Sequence, residues 1–478
     1  MASADIKQQM NAVLDKQKKA HIAASPVPAD VRIDRIDRAI DILIENEMQL
    51  SEAMSEDFGQ RAVQMSRFTD ILAAVGALKY ARKHVKKWMR PERRALEFPL
   101  GLLGSRAWVE YQPKGVVGII SPWNFPVNLT FAPLASVFAA GNRAMIKPSE
   151  FTPETSNLMK SLFEKAYDED EVATFTGGPD VGEAFSTLAF DHLIFTGATS
   201  IARHVMRAAS ENLVPLTLEL GGKSPVMVGR SADMKKAADR IVMGKMMNAG
   251  QVCLAPDYLL VPKDKEDEMT NALVDKASEM YPRMNGNPHA TAIVNDRHFA
   301  RLKDAVEDAK AKGADITVVN PSGEDFDASN TRMMPLTIIR NVNEDMVVMQ
   351  DELFGPVLPI KGYDEFDEAV DYVNDHERPL AAYYFGSDNK EERAVLDKTT
   401  SGGVTLQDVI FHMAQDDLPF GGVGPSGMGA YHGIEGFKAV SHQKAIYRQT
   451  KFDLAGLIGA RPPYGKALER TLGMRLKK

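Results

Sequence analysis

The stretch NAGQVCLAP (248–256) holds Cys253, the single cysteine of a 478-residue chain. A lone thiol is more often a small buried hydrophobe than a reagent. Here it follows a helical pattern broken by Gly250, and Ala255-Pro256 closes the loop before the next apolar run. A thiol at such a break offers its sulfur and its backbone N–H to one pocket, and cysteine is the strongest neutral-pH nucleophile among the side chains. Glu219 comes next. In PLTLELGG (215–222) a two-residue period puts Leu216, Leu218 and Leu220 on one face and Thr217 and Glu219 on the other. A carboxylate near the end of a buried parallel strand is costly unless it faces a cavity. Partly desolvated there, it holds its proton more tightly and can act as a base. The competing reading is a cap, or an ion pair with Lys223. Third is Asn124 in SPWNFP (121–126), where two prolines stiffen the backbone and aim an amide able to donate to a developing oxyanion. Its competing reading is a turn residue bonded to its own backbone. Nucleophile, base and oxyanion donor together suit acyl chemistry through a thioester.

Weaker pieces surround these. Lys147 and Glu150 in IKPSE (146–150) stand at a strand end where they could grip ribose hydroxyls, although such residues are usually only solvated. IFTGATSIARHVM (194–206) reads as strand, glycine turn and helix, and helix N-termini attract phosphates. Its spacing is not GxGxxG, so the usual dinucleotide fingerprint is absent. MQDELFGPVLP (349–359) carries an acidic pair beside Phe354. The glycine-rich LPFGGVGPSGMGAYHG (418–433) reads as a set of tight turns.

The elements that must position these groups follow from periodicity. Ile33, Ile36, Ile40, Leu43 and Ile44 recur at helical spacing, and helix continues to about Trp88. Residues 96–113 read as extended chain with exposed apolar groups, an arm able to pair outside its own domain. From 115, strands alternate with helices: GVVGII, AMIK, EVATF, DHLIF and VPLTLEL. Thr152 is the expected N-cap of the helix that opens at Pro153. The alternation restarts after LELGGKSP with a helix to about Ala249, then YLLV, a helix over 264–280, and DITVV, LTIIR, AAYYFGS and GGVTL. Alternating strands and helices imply parallel sheets covered on both faces. The fold class expected is α/β, with two doubly wound open-sheet domains, one Rossmann-like for a cofactor and one catalytic, plus a small β oligomerisation arm. The boundaries expected are 1–95 with 114–219 for the cofactor domain, 220–418 for the catalytic domain, 96–113 and 430–447 as bridging segments, and 448–478 as a tail. Leu468, Leu472 and Leu476 form a stripe in that tail. A helix docked on the protein's own surface explains it best, and a membrane-surface helix is the alternative.

Composition sets the frame. A net charge of −8 argues against a nucleic-acid partner. One cysteine permits no internal disulfide, which fits a reducing compartment. The first twenty residues hold no secretory signal. The most apolar run, LTFAPLASVFAAG (129–141), falls short of the roughly 20 residues a membrane helix needs. No metal site or membrane anchor is expected, and the expected location is the cytoplasm.

Taken together, these motifs resemble the aldehyde dehydrogenase superfamily over roughly residues 30–450. LELGGKSP followed by the cysteine of NAGQVC is a specific pairing, and PWNFP, KPSE, FTG, ELFGP and PFGGVGPSGMG stand in the family's order. CLAPDY and GMGAYHG look like the class 3 branch. YARKHVKKWMRPERR and FHMAQDDLPFGGVGPSGMGAYHG are most similar to bacterial coniferyl aldehyde dehydrogenases. The resemblance implies Cys253 as the nucleophile of a thiohemiacetal and then a thioester. It implies Asn124 with the Cys253 N–H as oxyanion donors, and Glu219 as the base that activates water. Lys147 and Glu150 would bind the adenosine ribose, Gly197 and Thr199 would meet the pyrophosphate, Glu352 would bind the nicotinamide ribose, and Phe354 would pack beside the nicotinamide. Phe125 and Leu129 would line the substrate tunnel. The cofactor implied is NAD, with NADP as the alternative, and the assembly implied is a homodimer. The activity implied is oxidation of coniferyl or another aromatic aldehyde to its acid. The alternatives are a medium- or long-chain aliphatic aldehyde and, further off, a cofactor-free thiol esterase. The chain departs from the family's GSTxxG at Ala198 and Ala202, where a hydroxyl and a glycine are missing. This allows helix and strand to stand slightly farther apart.

Overall fold

The valine- and isoleucine-rich run Val116–Ile120 is buried along almost its whole length and lies inside a six-stranded sheet. The computed structural model that shows this describes residues 2–98, 100–326 and 331–476. They divide into two units, Met1–Trp88 with Pro113–Val440, and Met89–Gln112 with Ser441–Lys478.

In the first unit the six-stranded sheet has the order Gly427–Met428, Leu216–Glu219, His192–Thr196, Val116–Ile120, Arg143–Lys147, Val172–Thr174. All pairings are parallel except that of Gly427–Met428. Leu218 and Leu220 enter one apolar cluster, with Leu216 packed against it, beneath the helices Ala2–Ala24, Pro179–Ser186 and Thr199–Ser210. Glu219 therefore points to the opposite face, as the two-residue period predicts. The chain runs outward from Val116–Ile120 in one direction, then returns to lay His192–Thr196 on its other side. The carboxyl ends of these two strands flank the switch point where open α/β sheets bind ligands.

The same unit holds a seven-stranded sheet: Asp315–Val318, Thr337–Arg340, Val357–Tyr363, Tyr258–Pro262, Pro225–Val228, Ala381–Phe385, Gly403–Leu406. Only the first pairing is antiparallel. Periodicity locates five of these strands. Pro225–Val228 and Val357–Tyr363 hide behind prolines and glycines that read as turns. The helix Met234–Met246 ends in a short tight turn, Met247–Gly250, that leads to Cys253.

One cap differs from expectation. Thr152 makes no side-chain cap bond to the helix Pro153–Ala166. Asp57, from the helix Glu47–Phe58, accepts from the N–H groups of Glu154 and Thr155, both at 2.9 Å, and from the Thr155 hydroxyl at 2.6 Å. A carboxylate satisfies two helix N-terminal donors at once and complements the helix dipole, which a threonine hydroxyl does less well.

The second unit is a three-stranded sheet, Glu92–Arg94, Arg106–Pro113 and Ser441–Arg448, followed by the helix Lys466–Arg475. That helix buries no residue, and Leu472 and Leu476 are exposed. Among the described residues no helix is long and apolar enough to cross a membrane.

Candidate active site

Pro122 and Pro126 hold the turn after Val116–Ile120, and a buried ion pair fixes its register. Arg61 and Asp70 meet at 2.7 Å with both side chains 0% exposed. The Asp70 carboxylate accepts from the N–H groups of Val127 and Asn128 at 3.1 Å each. Arg61 donates to the Asn124 carbonyl at 3.0 Å and lies over the Phe58 and Phe125 rings. Asp70 sits in a short π-helical segment, Arg67–Leu72, an irregularity frequent at functional sites. The Asn124 side chain does not bond its own turn. Its Nδ2 donates to the Gln251 carbonyl at 3.1 Å, two residues before the cysteine. An amide nitrogen carries two hydrogens, so one remains to donate elsewhere.

The nucleophile's turn is strained. Asn248 (φ 49°), Ala249 (φ 54°) and Gly250 (φ 75°) are three consecutive left-handed residues, two of them with a side chain. Only glycine fits at 250, because a Cβ there would stand 2.4 Å from the Gly355 carbonyl oxygen. Tertiary bonds hold the run. Asn248 Nδ2 donates to the carbonyls of Asn124 (3.0 Å) and Gln251 (3.2 Å). Gln251 Nε2 donates to Asn248 and Ala292, and Gln251 Oε1 accepts from Val294 N–H. Burial, then the carboxylates of Glu352 and Glu219, push the thiol up, so the resting group is a thiol.

Glu219 is 2% exposed, and both carboxylate oxygens find no hydrogen-bond partner among the described residues. Burial alone raises its pKa well above the usual 4.5. The ion pair with Lys223 does not form. Lys223 pairs with Asp257 and donates to the carbonyls of Val348 and Asp351. Glu352 reaches into the same interior. Its carboxyl lies against Gly221, where a Cβ would stand 2.0 Å from Oε2. Desolvation, then Asp257, push the Glu352 carboxyl up to about 8, against the pull of the Gly222 N–H, Lys223 and Arg301. Arg301 also donates to the carbonyls of Glu352 and Leu353, holding the loop that carries Phe354. Phe354 (φ 50°) meets Trp123 edge-on at 5.4 Å.

The strand-end residues read as cofactor contacts lie along the carboxyl edge of the six-stranded sheet. Lys147 Nζ pairs with Glu150 at 2.8 Å. Gly197 N–H donates to the Glu219 carbonyl at 3.0 Å, and the Thr199 hydroxyl to the Pro425 carbonyl at 3.1 Å. Ala198 stands at the N-cap of Thr199–Ser210 without a side-chain bond, and Ala202 is buried in the cluster under the sheet. The edge offers a strand switch point, a helix N-terminus, a lysine–glutamate pair and the buried Thr174 hydroxyl, which lacks a partner among the described residues. These suit a dinucleotide's pyrophosphate and ribose. Phe125 belongs to the same apolar cluster against which Leu129, Met413 and Cys253 pack.

The structure thus brings Cys253, Glu219, Asn124 and Glu352 to one interior, with Phe125 and Leu129 beside it. Sequence reasoning missed Arg61, Asp70, Gln251 and Asp257. Gln251 had a visible signal, an amide two residues before the thiol. Arg61 and Asp70 had none, since the turn they hold at Asn124, Val127 and Asn128 lies more than fifty residues along the chain.

The aldehyde dehydrogenase family model matches residues 2–446. The chain is 56% identical to a probable coniferyl aldehyde dehydrogenase of Caulobacter vibrioides, covering 98% of this chain and 97% of that one. It is 49% identical to a coniferyl aldehyde dehydrogenase of a Pseudomonas species, covering 98% and 96%. A substrate-bound Staphylococcus aureus AldH superposes with a TM-score of 0.90 at 33% identity, covering 98% and 99%. The chain belongs to the aldehyde dehydrogenase family, as an NAD(P)-dependent enzyme that oxidises aldehydes.

Proposed function

We propose that this enzyme oxidises an aromatic aldehyde of the coniferyl type to its acid, with Cys253 as nucleophile, Asn124 and the Cys253 N–H as oxyanion donors, and Glu219 as base. The observation that carries this reading is the pairing of Asn124 with the Gln251 carbonyl, which aims the amide at the nucleophile's turn. The Cys253 thiol gives its proton to Glu219, which passes it to solvent, as the sulfur adds to the aldehyde carbon. The oxygen that gains charge sits between Asn124 Nδ2–H and the Cys253 N–H, donors already in place before the reaction. Bound NAD(P) would supply a hydride acceptor, the chemistry needed to take the thiohemiacetal to a thioester. Lys147 and Glu150 would hold the adenosine ribose, Gly197 and Thr199 the pyrophosphate, and Glu352 the nicotinamide ribose, with Phe354 beside the ring. Glu219 takes a proton from water, the water oxygen bonds to the acyl carbon, the C–S bond breaks with its electrons on sulfur, and Glu219 returns the proton to sulfur, releasing acid and restoring the thiol. A carboxylate with raised proton affinity and no competing partner is suited to that transfer.

The two close relatives' names point to coniferyl aldehyde, and the apolar wall of Phe125, Leu129 and Met413 suits a flat ring. The same wall suits an aliphatic chain, which is the second reading. Glu150 disfavours a 2′-phosphate by like charge, so NAD is the preferred cofactor. The chain acts as a homodimer, with 96–113 and 430–447 as bridging segments, and sedimentation equilibrium checks this. The deciding experiment measures reduction of NAD and of NADP with coniferyl aldehyde, benzaldehyde, hexanal and decanal side by side. Coniferyl aldehyde with the highest kcat/KM supports the aromatic reading, and decanal with the highest value replaces it by the aliphatic one.

A further inference from the structure

Ala381–Phe385 runs inside the seven-stranded sheet, between Pro225–Val228 and Gly403–Leu406. Its two-residue period sends adjacent tyrosines to opposite faces. Tyr384 lies in the apolar cluster of one face, and its hydroxyl donates to Glu391 at 2.9 Å. Tyr383 is fully buried in the cluster of the other face, together with Val252, Leu254 and Ala255. A buried phenol must find an acceptor for its O–H. Tyr383 donates to the Leu254 carbonyl at 2.6 Å, one residue past the nucleophile.

That carbonyl belongs to a closed turn. The Ala255 N–H donates to the Val252 carbonyl at 2.9 Å, so Cys253 and Leu254 are the two central residues. The covalent chain joins the two bonds into one series. The Leu254 carbonyl and the Ala255 N–H are the two ends of one amide. The Val252 carbonyl and the Cys253 N–H are the two ends of another. A carbonyl that accepts a hydrogen bond makes the N–H of its own amide a stronger donor, and a buried, weakly polar setting reinforces each bond. The series therefore runs from the Tyr383 hydroxyl, through two amides, to the Cys253 N–H. Its origin is fixed, because the strand that carries Tyr383 is paired on both sides.

We propose that Tyr383 is a positioning residue for the oxyanion: through the Leu254–Ala255 and Val252–Cys253 amides, its hydroxyl aims and strengthens the Cys253 N–H. This assignment rests on the reading above, in which that N–H faces the oxygen of the Cys253 adduct. No proton leaves Tyr383. Asn124 stands outside the series and supplies the other donor independently.

The test is Tyr383→Phe, which removes one oxygen and keeps the ring. It is made in the full-length enzyme and again in a Glu219→Gln background, where the acyl enzyme accumulates. Stopped-flow absorbance follows the NADH burst. Infrared difference spectra follow the acyl carbonyl stretch, using benzaldehyde isotope-labelled at its carbonyl carbon. The expected result is a burst slower by about threefold, an unchanged affinity for NAD, and a carbonyl band displaced to higher frequency, because a weaker donor polarises the bond less. A ring-fluorinated tyrosine at position 383 keeps the hydroxyl and makes it a stronger donor, so it should displace the band to lower frequency. Packing changes alone would not make the band follow the acidity of the phenol, and this second replacement serves even where Tyr383→Phe does not fold. A band that stays in place in both replacements, or that moves in the same direction in both, overturns the assignment. Absence of any labelled acyl band in Glu219→Gln sinks the thioester reading, and this assignment with it.

Discussion

The catalytic interior and the cofactor edge lie on the same unit and are built on opposite principles. At the edge, all but the Thr174 hydroxyl of the polar groups named above have partners: Lys147 with Glu150, Thr199 with Pro425 and Gly197 with Glu219. The strands that carry them are regular. In the interior the Glu219 carboxylate has no hydrogen-bond partner among the described residues, burial pushes the thiol's pKa up, and the nucleophile rides on three left-handed residues. A cofactor that comes and goes needs a surface stable without it. A reacting centre instead gains from groups kept poised, at a cost carried by the surrounding scaffold.

The contrast is broken most severely by Cys253→Ala, expected to lower aldehyde oxidation by at least about 10⁴-fold while fluorescence titration shows NAD still binding. Loss of cofactor binding in that variant would mean the two regions are not independent. Glu219→Gln is expected to lower kcat by about 10²- to 10³-fold, with NADH appearing in a burst that stopped-flow absorbance resolves. Arg61→Met leaves Asp70 buried without its counter-charge. It should cost about 3–5 kcal/mol in urea unfolding and loosen the Asn124 turn, raising the loss in kcat above that in cofactor affinity. On the edge, Glu150→Gln should move the NADP-to-NAD ratio of kcat/KM upward by about tenfold and leave the burst intact.

The smallest effect concerns pH and stability. Glu219 binds its proton more tightly folded than unfolded. Its contribution is therefore complete below the unfolded carboxylate range and is lost as pH climbs through the raised folded value. Glu219→Gln should consequently be the more thermostable protein at pH 8, by about 2 °C in Tm, and the difference should vanish near pH 4. Equal melting curves at pH 8 would show that the carboxylate is solvated after all.

Much of this layout is legible in local pattern. The strand–helix alternation, the face on which Glu219 lies and the break before Cys253 all arise from neighbours within a few residues, where period and glycine placement act. What the sequence hides depends on pairs distant along the chain. Asp57 supplants Thr152 as the helix cap. Lys223 turns to Asp257 instead of Glu219. Arg61 reaches Asn124 across two helices. The glycine-rich 418–433 segment reads as turns, yet Gly427–Met428 forms an edge strand on Glu219's own sheet. No periodicity marks a two-residue strand, and its pairing is fixed by the neighbour it finds. Ala202, where the family's glycine is missing, lies buried in the packing of its helix.

The left-handed run before Cys253 has one more consequence. Asn124 comes from the turn after a strand of the six-stranded sheet, while Ala292 and Val294 come from a loop between helices, 41 and 43 residues past Gln251. Asn248 and Gln251 bond each other, and the two outside sources brace that pair from either side. The nucleophile is aimed only once both halves of the unit have docked. Opening either contact is therefore expected to aim the sulfur less well, and aldehyde oxidation followed in time during refolding checks this.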